Sequence, residues 1–276
     1  MVPRSAASLL LVTLAVSVAL GAPAAAAHPG ARPGEAYTFK FTVGPVEGGR
    51  ARMSIGRPMA QNGKRVVWVH GEAETTAFVR LLANVKDDYK LSVDLANLLP
   101  LSVAENERGL RERHITSTVD GRVADVDYWA PDKQLKGRRV LPRIVRDPLS
   151  GYFALRALPL NDGQQIGLDV LDGAALWRVV LTVARGQRLL LEGGGAARNA
   201  IRIDGLATRI EDNGRPRARM APRPMTIWLS DDADRVLLRL EAETELGKCA
   251  LELTSYQPPT RVAAEKSPQL PGIETR

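Results

Sequence analysis

Alternation at every second residue dominates this chain. Tyr37, Phe39, Phe41 and Val43 alternate with smaller or polar residues, Gly44-Pro45 and Gly48-Gly49 offer turns, and Ala51, Met53 and Ile55 alternate back. A period of two places those side chains on one face of a strand, so the stretch predicts a β-hairpin. Asn62-Gly63 is a tight-turn signal, and a long strand is expected over 65–75. Alternation returns over 89–95, and strands over 111–118 and 122–129 flank a second turn signal, Asp120-Gly121. Further apolar–polar runs cover 164–170, 176–184, 200–203, 206–211, 226–229, 236–243 and 249–256. Many short strands separated by Gly, Asn and Asp turns predict an all-β, mostly antiparallel domain: a large curved sheet, open barrel or sandwich.

Helical spacing interrupts this pattern in two places. Asp147 can cap a helix, Pro148 suits its first position, and Leu149, Tyr152, Phe153 and Arg156 fall at i, i+3, i+4 and i+7 before Pro159. A shorter helix is expected over 76–85, where Phe78, Leu81, Leu82 and Val85 share a face. Both read as short elements covering the sheet.

The first 27 residues break the pattern differently. Arg4, an apolar run from Leu9 to Leu20, and Ala25-Ala26-Ala27 form the three parts of a cleaved export signal. That run is shorter than the ~20 residues needed to span a bilayer. The reading is a signal peptide over 1–27, a flexible leader over 28–34, one β domain over 35–256 and a disordered tail over 257–276. The single cysteine, Cys249, is far from the expected cleavage point, so neither a disulfide nor a lipid-bearing N-terminal cysteine is expected. The expected location is periplasmic or secreted.

Charge narrows the candidate partners. Lys and Arg number 38 against 31 Asp and Glu, for a net +7. In an exported protein this balance suits an envelope lipid, an anionic glycan or an envelope protein, and argues against nucleic acid. Two arginine clusters stand out: Lys136, Arg138, Arg139, Arg143 and Arg146 ahead of the helix, and Arg215, Arg217, Arg219 and Arg223 in a later loop. Arg138, Arg139, Arg143 and Arg146, with Tyr152 and Arg156 of the helix, are the expected ligand-binding set. Guanidinium groups suit phosphate and carboxylate acceptors.

Catalytic signals are weak. Ser150 lies in Pro-Leu-Ser-Gly-Tyr, not in a glycine-flanked nucleophile elbow, and reads as a first-turn helix residue. Gly193-Gly194-Gly195 lacks the lysine of a phosphate loop and reads as a turn. The alternative to a binding protein is a metal-dependent hydrolase. His70, Glu72 and Glu74 share one strand face, and Glu112 and His114 repeat the spacing on another strand. Were those strands adjacent, His70, Glu72, Glu112 and His114 could hold an ion; otherwise they belong to a solvated face of cross-strand charge pairs. No cofactor is expected on the leading reading.

Three stretches together carry a resemblance. Gly34-Glu35-Ala36-Tyr37 with Gly48-Gly49, then Asp147-Pro148-Leu149-Ser150-Gly151-Tyr152-Phe153-Ala154-Leu155-Arg156, then Ile227-Trp228-Leu229-Ser230-Asp231-Asp232 with Arg235 and Gly247, are similar to an exported bacterial family. It is the family catalogued as domain of unknown function 3108, and the likeness spans most of residues 34–256. The resemblance implies an exported protein with a large curved antiparallel sheet, akin to lipoprotein-carrier-like open barrels, and implies no reaction. On it, Asp147 caps the helix, Tyr152 and Phe153 plug the sheet, Arg156 bonds carbonyls or a carboxylate, and Trp228 anchors the core. The expected function is a non-enzymatic envelope protein that holds an amphiphilic, anionic ligand in a concave sheet, or docks an envelope protein through a sheet edge.

Overall fold

The structure, a computed structural model, describes residues 30–76, 86–109, 112–194, 196–244, 247–259 and 268–276. The export segment and, beyond Thr76, the helix expected over 76–85 lie outside these residues. Strands β1 (Ala36–Val43), β2 (Val46–Ile55), β3 (Met59–Gln61), β4 (Lys64–Thr75), β5 (Lys86–Asp94), β6 (Pro100–Glu107), β7 (Arg113–Asp120), β8 (Val123–Ala130), β9 (Lys133–Val140) and β10 (Val145–Arg146) precede helix α1 (Pro148–Ala157). After it come β11 (Gln165–Asp172), β12 (Ala175–Leu189), β13 (Arg198–Arg209), β14 (Arg223–Ser230), β15 (Leu237–Thr244), β16 (Gly247–Gln257) and β17 (Ile273–Thr275). Among the described residues no helix is long and apolar enough to cross a membrane.

A single antiparallel sheet runs β9-β8-β7-β6-β5-β4-β2-β1-β16-β15-β14-β13-β12-β11. Short β3 pairs with the start of β4, and the far edge of β11 is shared by parallel β10 and antiparallel β17. Strand β1 thus lies between β2, its hairpin partner, and β16, more than two hundred residues later. The outer strands do not pair with each other, so the sheet is not closed into a barrel.

Instead it rolls up around α1. Helix residues from Ser150 to Arg156 are all buried, which is the expected fate of a helix without a polar face. Phe153, Leu155 and Tyr152 pack with Tyr37, Phe39, Leu91, Val93, Ile166, Leu181, Ile203 and Leu229 from strands on every side. At the rolled edge a second apolar cluster forms. Leu171 and Leu176, which alternate with core-facing Val170 and Trp177, pack against Val119, Ala124 and Val126 of β7 and β8. The β7–β8 end of the sheet therefore overlaps the outer face of the β11–β12 hairpin.

The helix begins and ends as its sequence directs. The Asp147 carboxylate accepts from the backbone N–H groups of Leu149 and Ser150, and the Ser150 hydroxyl accepts from the Asp147 N–H at 3.0 Å, a reciprocal capping box. At the other end Arg235 donates to the carbonyl oxygens of Arg156, Leu158 and Pro159, the acceptors a helix terminus leaves unsatisfied.

Several expectations are corrected. The leader is not flexible from Gly30 onwards: Gly30 and Ala31 are buried, and the Gly30 carbonyl accepts from Arg156 at 2.8 Å. Gly30 has φ +81°, and a Cβ there would stand 2.4 Å from Leu98 Cδ1, so only glycine fits. The tail is not disordered over 268–276. Gln269 donates to the Ala96 carbonyl, Leu270 packs on the core, and β17 zips onto β11. Backbone pairing along the otherwise bare edge of β11 outweighs the prolines that suggested disorder. The runs over 200–203 and 206–211 are one strand, β13, which passes through Gly205 without turning. Trp228 anchors the core only in part: its register with Arg202 and Arg239 turns it to the outer face, where it is half-buried against the core cluster with the Arg202 guanidinium over its ring at 5.6 Å.

Candidate ligand-binding mouth

Helix α1 fills only one half of the rolled sheet. In seven of the strands around it, burial of the inward-facing side chains falls off in the same direction. Tyr37 and Phe39 of β1 are buried but Phe41 and Val43 are half-exposed; Leu253 of β16 is buried but Leu251 is not; Leu229 of β14 is buried but Met225 is not. The same step separates Leu91 from Tyr89 in β5, Leu168 from Val170 in β11, Val179 from Trp177 in β12 and Ile203 from Ala207 in β13. All the half-exposed residues lie toward the end of the roll where β1 turns into β2 and β15 into β16. Pro148 and Leu149, at the start of α1, are the helix residues that reach that side without being buried. The result is an open mouth with an apolar wall of Tyr89, Val170, Trp177, Met225, Leu240 and Leu251 and a floor made by the capped helix start. Gly205 shapes the wall, since a Cβ there would stand 2.7 Å from both Leu181 and Met225.

Charged side chains ring this mouth. On one side Arg113 pairs with Glu105 at 3.0 Å and with Glu107. Burial pushes the Glu105 carboxyl up to about 8 although Arg113 pulls the other way. Burial, aided by the charge of Glu107, also lifts Asp87 to about 6. On the other side the Arg209 and Arg223 guanidiniums lie over the Trp177 ring, 5.4 and 5.1 Å from its centre. Asp172 sits near both, and burial raises its carboxyl above the ordinary aspartate range against the pull of Arg113, Arg209 and Arg223. At the floor the Tyr89 hydroxyl donates to the Asp147 carboxylate at 2.9 Å, joining β5 to the helix cap.

The expected ligand-binding set is not brought together. Arg146, Tyr152 and Arg156 are buried and structural. Arg146 donates to the carbonyls of Leu98 and Pro271 at 2.6 and 3.0 Å, and burial pushes its guanidinium down to about 10. Arg156 forms a bidentate pair with buried Glu35, at 2.8 Å from each oxygen, and also donates to the Gly30, Asp234 and Arg235 carbonyls. The Tyr152 hydroxyl accepts from the Leu237 N–H at 3.2 Å. Arg139 is held by Asp212 and the Ala174 carbonyl, and Arg143 by Glu274. Arg138 faces outward into a shallow trough of about 620 Å³ on the far side of the sheet, with Trp68, Lys90, Ser102, Thr116 and Thr118. There it stands across from Asp125, while its neighbour Lys136 pairs with Asp127 at 2.6 Å.

The metal set divides as well. β5 and β6 intervene between β4 and β7, so His70 and His114 are about three strand spacings, roughly 14 Å, apart. His70 contacts Asp88 at 2.8 Å and Glu72 at 3.8 Å, whereas His114 contacts Asn106 at 2.8 Å and Glu112 at 3.9 Å. A donor group of three does form from His70, Glu72 and Asp88, but Lys90 stands 3.7 Å from Asp88 and supplies a cation already. The four residues expected to share an ion cannot.

The sequence singles out Arg223, though as part of a loop rather than as the first residue of β14, and does not single out Trp177 or Arg209. Trp177, Arg209 and Arg223 meet only through the β12–β13–β14 register, in which Trp177 faces Arg209 and Ala207 faces Arg223. The available signal was the inward parity of Trp177 with Val179 and Leu181, which places its indole on the concave face.

A rolled, open antiparallel sheet with an internal helix defines the class of protein. Residues 36–254 match the family model described as protein of unknown function (DUF3108), and the chain belongs to that family. The fold is similar to a β-barrel-like protein of domain of unknown function DUF1849 from Brucella abortus, at 8% identity and TM-score 0.49, over 84% of this chain and 99% of that one. It is also similar to a protein from Bacteroides fragilis described as exported with a YmcC-like fold, at 8% identity and TM-score 0.36, over 85% and 100%. A third, described as a lipoprotein of Parabacteroides distasonis, has 7% identity and TM-score 0.33 over 84% and 99%. No curated protein matches the chain.

Proposed function

We propose that this protein is an exported, non-enzymatic binding protein that holds the apolar part of an amphiphile in the open half of its rolled sheet. The observation that carries this reading is the step in burial shared by seven of the strands around α1. An apolar wall of this extent left half-exposed is costly in water, about 25 cal/mol per Å², and marks a binding surface. Concave apolar walls with a few polar groups at the rim are the usual form of a small-molecule site. Export is supported by the expected signal segment.

Native mass spectrometry of protein purified from its own envelope tests the reading. A co-purifying amphiphile that is lost in a Leu240→Asp variant supports it. Ligand-free protein that also fails to take up single-chain amphiphiles added in solution overturns it.

A further inference from the structure

We infer that the trough on the outer face of the sheet is a second binding site, one for an uncharged oligosaccharide. It lies on the opposite side of the strands from the mouth and does not rest on the amphiphile reading. Register assembles it from β4 to β9: Trp68 pairs with Ser92, and the same row continues through Ser102, Thr118 and Asp125 to Arg138. These residues alternate with Val67, Leu91, Val103 and Val126 of the two apolar clusters, so they face outward. The space they border is about 620 Å³, within the roughly 300–1,000 Å³ of ordinary small-molecule sites.

Two features point to a sugar. Trp68 is 40% exposed at one end of the trough, an indole left in water on a strand whose valines are buried. A pyranose ring offers such an aromatic face a patch of C–H groups and keeps its hydroxyls at its edge. Beyond the indole, the hydroxyls of Ser102, Thr116 and Thr118, the Asp125 carboxylate and the Arg138 guanidinium make no hydrogen bond or ion pair among the described residues. Sugar hydroxyls donate and accept at once, and this set serves both roles: Asp125 accepts, Arg138 donates, and the hydroxyls do either.

Charge argues against an ionic ligand. Lys136 is held by Asp127 at 2.6 Å, and Lys90 lies 3.7 Å from Asp88. Arg138 stands across the β8–β9 pair from Asp125. A trough in which each cation faces a carboxylate favours neither sign, and suits an uncharged ligand rich in hydroxyls. An alkyl chain is poorly matched, because hydroxyls and a carboxylate separate Trp68 from Arg138 along their row.

The test is calorimetric titration of the mature chain with hexasaccharides of glucose, galactose, mannose and N-acetylglucosamine, and with hexagalacturonate as the acidic counterpart. Wild-type protein should bind at least one neutral hexasaccharide more tightly than hexagalacturonate, with little dependence on salt. Trp68→Ala should weaken that binding about tenfold, and Trp68→Tyr should keep part of it. Arg138→Gln, and separately Thr116→Val with Thr118→Val, should each weaken it by about threefold to tenfold. Leu240→Asp, which alters the mouth, should leave it unchanged. No binding of any neutral hexasaccharide, tighter binding of hexagalacturonate, undiminished binding by Trp68→Ala, or loss in Leu240→Asp overturns the inference. Arg138 is exposed and unpaired among the described residues, so Arg138→Gln keeps the test decisive even if Trp68→Ala folds poorly. Failure here leaves the amphiphile reading standing, since that is read from the other face with other probes.

Discussion

The two halves of the roll are made from the same strands yet follow opposite rules. Around α1, the buried charged groups find partners: Glu35 with Arg156, Arg146 with carbonyls, Asp147 with two backbone N–H groups and Tyr89. Beyond the helix start, the inward faces carry apolar side chains that are only half-covered and carboxyls whose protons are held more tightly than usual. The first half is optimised for a unique packed state. The second is kept unfinished, and an unfinished surface inside a concave sheet is where specificity for a partner molecule is built.

Breaking the closed half should have the largest effect. Arg156→Met strands the buried Glu35 carboxylate and should cost about 3–5 kcal/mol in chemical denaturation; adding Glu35→Gln should recover a large part. Phe153→Ala, at the centre of the roll, should cost a similar ~3–5 kcal/mol through lost burial and a residual cavity. Losses below about 1 kcal/mol at both sites would erase the distinction between the halves. Asp147→Ala removes the helix cap and the acceptor of the Tyr89 hydroxyl together, and should cost about 1–2 kcal/mol.

The open half should respond differently. Leu240→Asn should change stability by less than about 1 kcal/mol while weakening amphiphile uptake; a loss as large as that of Phe153→Ala would show that the mouth is core. The smallest effect concerns pH. Glu105 and Asp87 hold their protons more tightly in the folded chain than an unfolded chain would, so their folded forms bind excess protons above the ordinary carboxyl range. Their contribution to stability is therefore full at acid pH and fades as pH rises through about 6 for Asp87 and about 8 for Glu105. Thermal unfolding followed across that window should show a falling midpoint, flattened by Glu105→Gln. A midpoint that rises with pH would contradict the assignment.

What was legible in the sequence was local. The β1–β2 hairpin, the paired strands β7 and β8, and α1 with its aspartate cap all announce themselves within a dozen residues. Strand β9 was not legible, because Lys133, Lys136, Arg138 and Arg139 in a mostly exposed edge strand leave no apolar period. Nor was β17, whose three residues matter only through their pairing with β11. The arginine run showed the limit most clearly. Arg138, Arg139, Arg143 and Arg146 look alike in sequence, yet one faces an outer trough, two are neutralised by distant acids and one is sealed inside. Their roles depend on residues 212, 271 and 274, too far along the chain for any local pattern to encode.

The seating of β1 between β2 and β16 sets a timetable for folding. The strands before α1 and those after it join into one sheet chiefly through the β1–β16 pair, whose partners are separated by most of the chain. Such distant pairing pays its loop-closure entropy before it gains contacts, and folds slowly. Until residues 249–257 are available, neither half can wrap the helix, and Phe153, Tyr37 and Ile203 have no interior to enter. A polypeptide built on this plan remains a threadable, chaperone-accessible chain for as long as its late strands are withheld, and gains its rolled form only once they arrive.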